Sequence, residues 1–387
     1  MNLRNLNKIK FISINALRQV LIAVFAMLIP FLIIFFSKKE IWGEFVSVLL
    51  FTLIATQFIN WGNKEYLLRT FSETPSELKS TFSSNFITRF PLVILFSVIA
   101  FFYFKTDFGI YIFLWLLGRF LIHSVEVLIF YEKKFISSTT IEIVCFLIFI
   151  LTFYSLKTDF TLKTLVVLYS LYQLLKGFAY ILMFKIYFKF DKARFQYNYY
   201  RISFWFFILS LLGFLTSKID VYIVDFFLDH KELADYQIIN SLLVFVMSIS
   251  AFIYVPFTKN MYRINEVVIL KTKKIVFSLG LLIVPISVLV IHFVLKYFLN
   301  LSFSVYFYII AVFYVIPSFI YGIDIVVLFK QNQEKKVVLF LFLGILLNSI
   351  VTSVLLFYNF KITGALLGAM CSQILILLLL KVKSTQK

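Results

Sequence analysis

Long apolar runs, separated by short charged segments, dominate this chain of 387 residues. A helix needs about 20 apolar residues to cross the hydrocarbon core of a bilayer, and in lipid its backbone groups must be hydrogen-bonded within the segment. Because the alternation typical of strands is absent, the pattern predicts an all-α polytopic membrane protein with about 12 transmembrane helices. The twelve runs lie at approximately 16–37, 44–61, 86–104, 108–130, 140–156, 163–185, 202–226, 236–258, 274–297, 303–329, 336–358 and 361–381.

Composition supports a membrane protein and excludes a water-soluble enzyme. Hydrophobic residues make up 62% of the chain and charged residues only 14%, whereas a soluble domain has about 45–50% apolar and about 25% charged residues. In a soluble protein the net charge of +18 would suggest nucleic acid as a partner. Here the basic residues lie in short segments between apolar runs, so we expect membrane lipids, and no nucleic acid, as their partner.

The sequence gives no sign of a bound cofactor. Cys145 and Cys371 both lie inside apolar runs, which is not the pattern of a disulfide framework or of a metal cluster. No GxxxxGK[ST] run is present, so a nucleotide-binding loop is not expected. We expect no cofactor and no metal. Any transport would draw its energy from an ion gradient, from the membrane potential or from consumption of the product.

The distribution of basic residues predicts the orientation and a division into two halves. Lys and Arg are several times more frequent in the N-terminal segment, every second loop and the C-terminal segment than in the other loops. Because positively charged loops stay inside, both termini are predicted to be cytoplasmic. The largest inside segment lies near the middle of the chain and predicts two six-helix lobes, residues 1–195 and 196–387.

The two halves show signs of duplication. Pro91 in the third run and Pro285 in the ninth are separated by nearly half the chain, and Glu132-Lys133-Lys134 resembles Glu334-Lys335-Lys336 at a similar separation. Six spans in each half, both beginning inside, would make the repeats parallel. This predicts two pseudo-symmetric six-helix bundles around a central cavity. Transporters commonly bind substrate at such a repeat interface.

Three polar side chains share one face of the fourth run. His123 and Glu126 follow Arg119 at i+4 and i+7. A basic residue at the centre of a bilayer costs about 2.5–3.5 kcal/mol on the insertion scale, so such residues face water or a partner. Arg119 is therefore expected to line a substrate cavity. The alternative is an internal ion pair with Glu126 or another acid.

Two further basic residues give the first half a cationic interior. Lys176 lies in the middle of the sixth run, on a polar stripe that includes Gln173, and Arg18 marks the cytoplasmic end of the first run. Arg and Lys make charge-assisted hydrogen bonds to phosphate oxygens, so an anionic headgroup with an apolar tail fits this pattern. Lys176 could instead pair with an internal carboxylate, and Arg18 could be a simple flanking charge.

The second half carries its charges differently. Lys218 and Asp220 lie in the outer part of the seventh run, Asn240 in the eighth and Asp324 in the tenth. A pair between Lys218 and Asp220 or Asp225 that fixes helix packing is one explanation. The other is a role in a polar lumen or in ion coupling, for which the candidates are Asp220, Lys218, Glu126, Asp324, Gln173 and Asn240.

Several segments resemble the polysaccharide flippase (Wzx-type) family of the MOP exporter superfamily, which includes O-antigen and lipid-linked oligosaccharide flippases. The opening resemblance runs from Arg18 through Ile41-Trp42-Gly43-Glu44-Phe45 to Leu67-Leu68-Arg69, with Trp61 where the family commonly has an acid. Further resemblances lie at Ser217-Lys218-Ile219-Asp220 and at Ile362-Thr363-Gly364-Ala365.

The resemblance implies a MATE/MOP-like fold and a transporter, not an enzyme, in the bacterial cytoplasmic (inner) membrane. Its implied function is to move an undecaprenyl-diphosphate-linked oligosaccharide, an O-antigen or capsule repeat unit, from the cytoplasmic to the outer leaflet by alternating access. Basic cavity residues would hold the diphosphate, and by position these are Arg18, Arg119 and Lys176. The implied partners are this polyprenyl-diphosphate-linked oligosaccharide, membrane lipids, and the glycan polymerase and glycosyltransferases of the same pathway.

Two other functions compete with this expectation. A MATE-like multidrug or small-molecule antiporter would favour acidic residues in the first half, where this chain has basic ones. A membrane glycan polymerase or glycosyltransferase would need an extended outer loop for its acidic residues, and no predicted outer loop is longer than about ten residues.

Overall fold

The structure is a computed structural model that describes the backbone of residues 3–36, 38–104, 106–156, 160–188, 190–191, 193–254 and 266–384. All regular secondary structure in these residues is helical. The chain forms two compact units, residues 1–211 and 212–387. The predicted boundary at residue 195 falls in the segment 193–203 that precedes the next long helix. We call this segment the connector, and it belongs to the first unit.

The first unit is built around one central helix, α5, which packs against α2, α3, α4 and α7. Short 3₁₀ turns precede α4 and follow α7, at Pro75–Glu77 and Lys185–Tyr187. The helices are α1 (Leu3–Phe36), α2 (Lys39–Asn60), α3 (Asn63–Glu73), α4 (Leu78–Tyr103), α5 (Thr106–Glu132), α6 (Phe135–Ser155), α7 (Leu162–Met183), α8 (Tyr197–Ile202) and the first turns of α9 (Phe204–Phe227).

The second unit contains the rest of α9 and five further helices. Its central helix, α12, packs against α10, α11 and α14, and α13 lies along α14. These helices are α10 (His230–Tyr254), α11 (Glu266–Phe298), α12 (Val305–Lys330), α13 (Glu334–Phe357) and α14 (Lys361–Ser384).

Twelve helical segments of the described chain are long and apolar enough to cross a membrane, which confirms the predicted fold class. Several begin earlier than the apolar runs, because the helices include polar residues that precede those runs. The third is the largest case, because its helical segment begins at Pro75 and buries Ser84 and Asn85 before the predicted run begins at residue 86. The segments are Ile14–Phe36, Lys39–Glu73, Pro75–Tyr103, Phe108–Glu132, Phe135–Ser155, Leu162–Met183, Phe204–Phe227, His230–Ile253, Val267–Phe298, Val305–Lys330, Glu334–Phe357 and Lys361–Lys381.

A left-handed elbow ends α2 and fixes the start of α9. Trp61 has φ 41° and Gly62 has φ 65°, so the helix is interrupted at these two residues before α3 begins. A Cβ atom at Gly62 would lie 2.7 Å from Cβ of Phe206, which leaves room only for glycine. The Trp61 ring stacks on Phe207 with 4.1 Å between ring centroids. The beginning of α9 is therefore held against the end of α2.

The connector is hydrogen-bonded to the helices of the first unit. The backbone N–H of Gln196 donates to Thr88 Oγ1 at 2.9 Å, and the Tyr200 hydroxyl donates to the Thr88 carbonyl at 2.6 Å. Trp61 Nε1 donates to the Tyr200 carbonyl at 3.1 Å. Burial raises the pKa of Tyr199 to about 12, so its hydroxyl keeps its proton and donates to the Trp61 carbonyl. The connector is thus an ordered part of the first unit.

Candidate functional site

Arg119 lies on a half-exposed polar face of α5. Arg119, His123 and Glu126 share this face, as the spacing predicts, and each is partly exposed. Arg119 makes no hydrogen bond or ion pair with any residue that the structure describes. A charged side chain at this depth that is neither buried nor paired requires water around it. Arg119 is therefore an open cation in the middle of a membrane-spanning helix.

Glu126 does not form the ion pair with Arg119 that was considered as an alternative. Its Oε1 lies 3.0 Å from Lys64 Nζ, and its Oε2 lies 3.4 Å from His123 Nδ1. Lys64 comes from the start of α3, and its ammonium also lies 4.2 Å from the centre of the Phe130 ring. The Lys64 ammonium compensates the carboxylate and His123 contacts its other oxygen, which leaves the positive charge of Arg119 without a neutralising acid among the described residues.

Lys176 is buried and ion-paired. Its Nζ lies 3.0 Å from Glu142 Oε2 on α6, and the two side chains are 7% and 4% exposed. The hydroxyl of Tyr180 donates to the other carboxylate oxygen, Glu142 Oε1, at 2.8 Å. Sequence reasoning did not single out Glu142. The available signal was an acid inside an apolar run, which is uncommon without a partner.

Arg18 reaches the same carboxylate through two hydroxyl groups. Arg18 Nε donates to Ser138 Oγ at 2.7 Å, and Ser138 Oγ lies 2.8 Å from the Tyr180 hydroxyl, which donates to Glu142. We call these five residues, Arg18, Ser138, Glu142, Lys176 and Tyr180, the Glu142 network. It joins α1, α6 and α7, so the structure brings two of the three predicted diphosphate ligands into one hydrogen-bonded system.

A close helix contact places Arg119 at the depth of Gln173. A Cβ atom on Gly118 would lie 2.5 Å from the carbonyl carbon of Gln173, so the backbones of α5 and α7 touch there. Gln173 Oε1 and Trp115 Nε1 are buried without a hydrogen-bond partner among the described residues. Lys176 follows Gln173 by three residues, which is less than one helical turn. Arg119, Gln173 and Lys176 thus lie at similar depth in the first unit.

In the second unit, Asn240 stands between Lys218 and Asp220. Lys218 Nζ donates to Asn240 Oδ1 at 2.6 Å, and Asn240 Nδ2 donates to Asp220 Oδ2 at 3.1 Å. The Tyr236 hydroxyl also donates to Asp220 Oδ2. Asp220 Oδ1 is buried and has no hydrogen-bond partner in the described part of the chain. The expected association of Lys218 with Asp220 is therefore indirect, and one carboxylate oxygen is left unused.

Asp324 is compensated by a residue that sequence reasoning missed. Lys273 on α11 lies 2.7 Å from both carboxylate oxygens of Asp324 on α12. This leaves Asp220 as the acid with an unpartnered oxygen among the three candidate coupling acids. Within the described residues no group of three or more His, Cys, Asp or Glu side chains could hold a metal ion.

Arg89 is a further buried cation of the first unit, and sequence reasoning missed it. It is fully buried, and its Nε donates to Asn85 Oδ1 at 2.9 Å and its Nη2 to Ser124 Oγ at 2.8 Å. A longer contact of 3.4 Å joins Nη1 to the Ile59 carbonyl. At the start of an apolar run an arginine is hard to tell from a flanking charge, although Asn85 one turn earlier is a signal of a polar helix face.

Solved structures of membrane transporters are similar to this chain over almost its whole length. The eukaryotic MATE transporter AtDTX14 superposes with a TM-score of 0.66 at 11% identity, covering 99% of this chain and 96% of its own. The MATE transporter ClbM in complex with Rb⁺ gives a TM-score of 0.61 at 16% identity, covering 96% and 94%.

A further similar structure is an inward-facing multidrug resistance MATE family transporter of the MOP superfamily. It gives a TM-score of 0.57 at 12% identity and covers 96% of both chains. No protein family model matches the sequence, and no curated protein matches it. The all-helical chain, with its twelve candidate membrane-spanning helices, therefore has a MATE-like fold.

Proposed function

We propose that this chain is a transporter of the MOP type, and that its substrate is an undecaprenyl-diphosphate-linked oligosaccharide moved from the cytoplasmic to the outer leaflet. The transporter class is supported by the shared fold with the solved MATE transporters. The substrate class is supported by the basic interior of the first unit. The single observation that carries it is Arg119, an open cation at mid-span.

Arg119 suits the diphosphate of such a lipid. A guanidinium donates two parallel hydrogen bonds to phosphate oxygens, and these are stronger than hydrogen bonds between neutral groups. Arg18 and Lys176 supply further positive charge at the Glu142 network. The hydrophilic glycan would stay in water and the polyprenyl tail in lipid, while the two halves alternate in access. Among the acids, Asp220 is the best candidate for ion coupling, because one of its oxygens has no partner among the described residues.

The cellular setting follows from the substrate. The protein would lie in the bacterial cytoplasmic (inner) membrane with both termini in the cytoplasm, as the loop charges predict. Its substrate would come from glycosyltransferases of the same pathway and pass to a glycan polymerase.

A binding measurement with a short polyprenyl diphosphate tests the proposal. The purified protein in nanodiscs should bind farnesyl diphosphate, and Arg119→Gln should weaken binding by about tenfold to a hundredfold, because a hydrogen bond to a charged group contributes about 1.5–3 kcal/mol. Arg69→Gln is the matched control, since Arg69 is exposed and pairs with Glu73 at 3.0 Å. Equal affinity of the wild type and the Arg119→Gln variant would contradict the proposed site.

Transport itself is measured in proteoliposomes. A fluorescent polyprenyl-diphosphate sugar should become accessible to a membrane-impermeant quencher at a rate that Arg119→Gln lowers and Arg69→Gln does not. A protein that binds the probe and never moves it across the bilayer would refute the flippase function.

A MATE-like antiporter of cationic small molecules is the second candidate. One of the similar structures is described as a multidrug resistance transporter, and Asp220 offers an unpartnered carboxylate oxygen. Against it, the mid-helix acids of the first unit, Glu126 and Glu142, are both ion-paired. Tetraphenylphosphonium binding that is lost in Asp220→Asn, without farnesyl diphosphate binding, would favour this candidate over the flippase.

A further inference from the structure

Glu142 accepts directly from Lys176 and is linked to Arg18 through two hydroxyl groups. Lys176 contacts one of its oxygens directly, and the Tyr180 hydroxyl donates to the other. Since the single proton of Tyr180 is used in this short contact, Ser138 must donate to Tyr180 and accept from Arg18. The hydrogen bonds from Arg18 through Ser138 and Tyr180 therefore all run in one direction and end at the Glu142 carboxylate, which also accepts from Lys176.

The Lys176–Glu142 ion pair is buried, and its burial raises the cost of separating the two residues. Lys176 and Glu142 are almost completely shielded from solvent, and a buried pair that loses one partner leaves an uncompensated charge. An anionic ligand can use Lys176 only if it replaces the carboxylate as the partner of that ammonium. A ligand that binds Arg119 leaves no carboxylate uncompensated, because Arg119 has no ion-pair partner among the described residues.

We propose that Glu142 is an internal counter-anion that competes with the substrate diphosphate for Lys176 and, through Tyr180 and Ser138, for Arg18. The diphosphate first binds the open Arg119 and then takes Lys176 from Glu142. When the carboxylate recovers Lys176, the diphosphate is released. Glu142 is thus a positioning residue that keeps the site from holding its ligand too tightly. This inference rests on the transport function proposed above.

Glu142→Gln tests the competition. The amide keeps one acceptor oxygen for Tyr180, replaces the oxygen beside Lys176 by an NH₂ donor and removes the negative charge. Farnesyl diphosphate should therefore bind roughly tenfold more tightly. Release should become slower, and the fluorescent polyprenyl-diphosphate sugar should cross the bilayer more slowly than in the wild type. A residue with a merely structural role would weaken both binding and transport. Glu142→Asp keeps the charge and should bind the probe with near wild-type affinity.

The chain offers a matched control in Glu132. This acid has the same kinds of partner, a lysine at 2.6 Å and a tyrosine hydroxyl, namely Lys134 and Tyr187. It lies at the end of α5 with a more exposed lysine partner. Glu132→Gln removes an equivalent negative charge and should leave farnesyl diphosphate affinity unchanged.

Two further variants extend the test, and the first of them applies even if Glu142→Gln does not fold. Tyr180→Phe interrupts the path from Arg18 to Glu142 and should tighten binding by about threefold; unchanged or weaker binding overturns the inference. Lys176→Gln in the Glu142→Gln background should abolish the gain in affinity. Probe binding that depends on Arg119 but does not tighten in Glu142→Gln would refute the competition and leave the proposed function intact. Absence of probe binding to the wild type would refute the function itself.

Discussion

Replacement of Arg89 by methionine should destabilise the first unit by about 3 kcal/mol. Two opposing effects decide this value. The guanidinium makes two good hydrogen bonds, to Asn85 and Ser124, and a longer one to the Ile59 carbonyl. Its carbon Cζ also lies 5.1 Å from the centre of the Phe120 ring. Against these contributions stands the cost of keeping a cation in a site where no carboxylate of the described residues contacts it.

The free energy lost with the hydrogen bonds of Arg89 should exceed the desolvation cost that is removed together with its charge. Charged hydrogen bonds contribute about 1.5–3 kcal/mol each, and each buried polar group left without a partner costs about 1–3 kcal/mol. Asn85 is the most sensitive of these groups, because its Nδ2 already has no partner among the described residues. Arg89→Lys should be at least as damaging, since one ammonium cannot reproduce the planar fork of a guanidinium.

A thiol-reactive fluorophore measures this effect in the first unit alone. Cys145 is 3% exposed on α6, so in a Cys371→Ser background it reacts only when the first unit opens. The melting temperature should fall by roughly 6–12 °C for a unit of this size. Arg69→Met, at an exposed position, is the control and should change it little. A transition of Arg89→Met at or above the wild-type temperature would show that desolvation of the cation dominates, and would refute this reasoning.

Three other substitutions have clear expected outcomes. Gly118→Ala should destabilise the first unit by about 2 kcal/mol in the same thiol assay, because its Cβ would meet the backbone of Gln173. Gly213→Ala should raise the thermal stability by up to about 1 kcal/mol, since no atom lies within 4 Å of the added carbon; a loss would show an unrecognised need for flexibility in α9. Lys273→Met should cost about 1–2 kcal/mol, because it removes the ion-pair partner of the partly buried Asp324. Adding Asp324→Asn should restore part of the loss, as measured by thermal unfolding followed by circular dichroism.

The fold could be predicted because lipid imposes a simple length requirement. The twelve apolar runs correspond to the twelve candidate spans of the described chain. In lipid, the backbone N–H and C=O groups of each span must be hydrogen-bonded within the helix. The helix ends were less predictable. In α4, the polar residues Ser84 and Asn85 are buried against protein, and a hydropathy pattern cannot distinguish such a polar turn from a loop.

The candidate site was only partly predictable. The shared face of Arg119, His123 and Glu126 follows from helical periodicity alone, and the structure shows that face half-exposed. The partners of these residues depend on tertiary contacts between distant segments. Lys64 pairs with Glu126 from 62 positions away, and Glu142 pairs with Lys176 from 34 positions away. Periodicity within one helix carries no information about such pairs.

The attachment of the connector limits how this polypeptide can be divided. A cut near residue 195 would separate Tyr200 from most of the first half, where Trp61 and Thr88 bond to it. A cut after residue 211, at the point in the sequence where the first compact unit ends, would sever a single candidate membrane-spanning helix. Half-length fragments are therefore a poor starting point for reconstitution, and chimaeras with related chains should exchange the connector together with the helix ends that hold it.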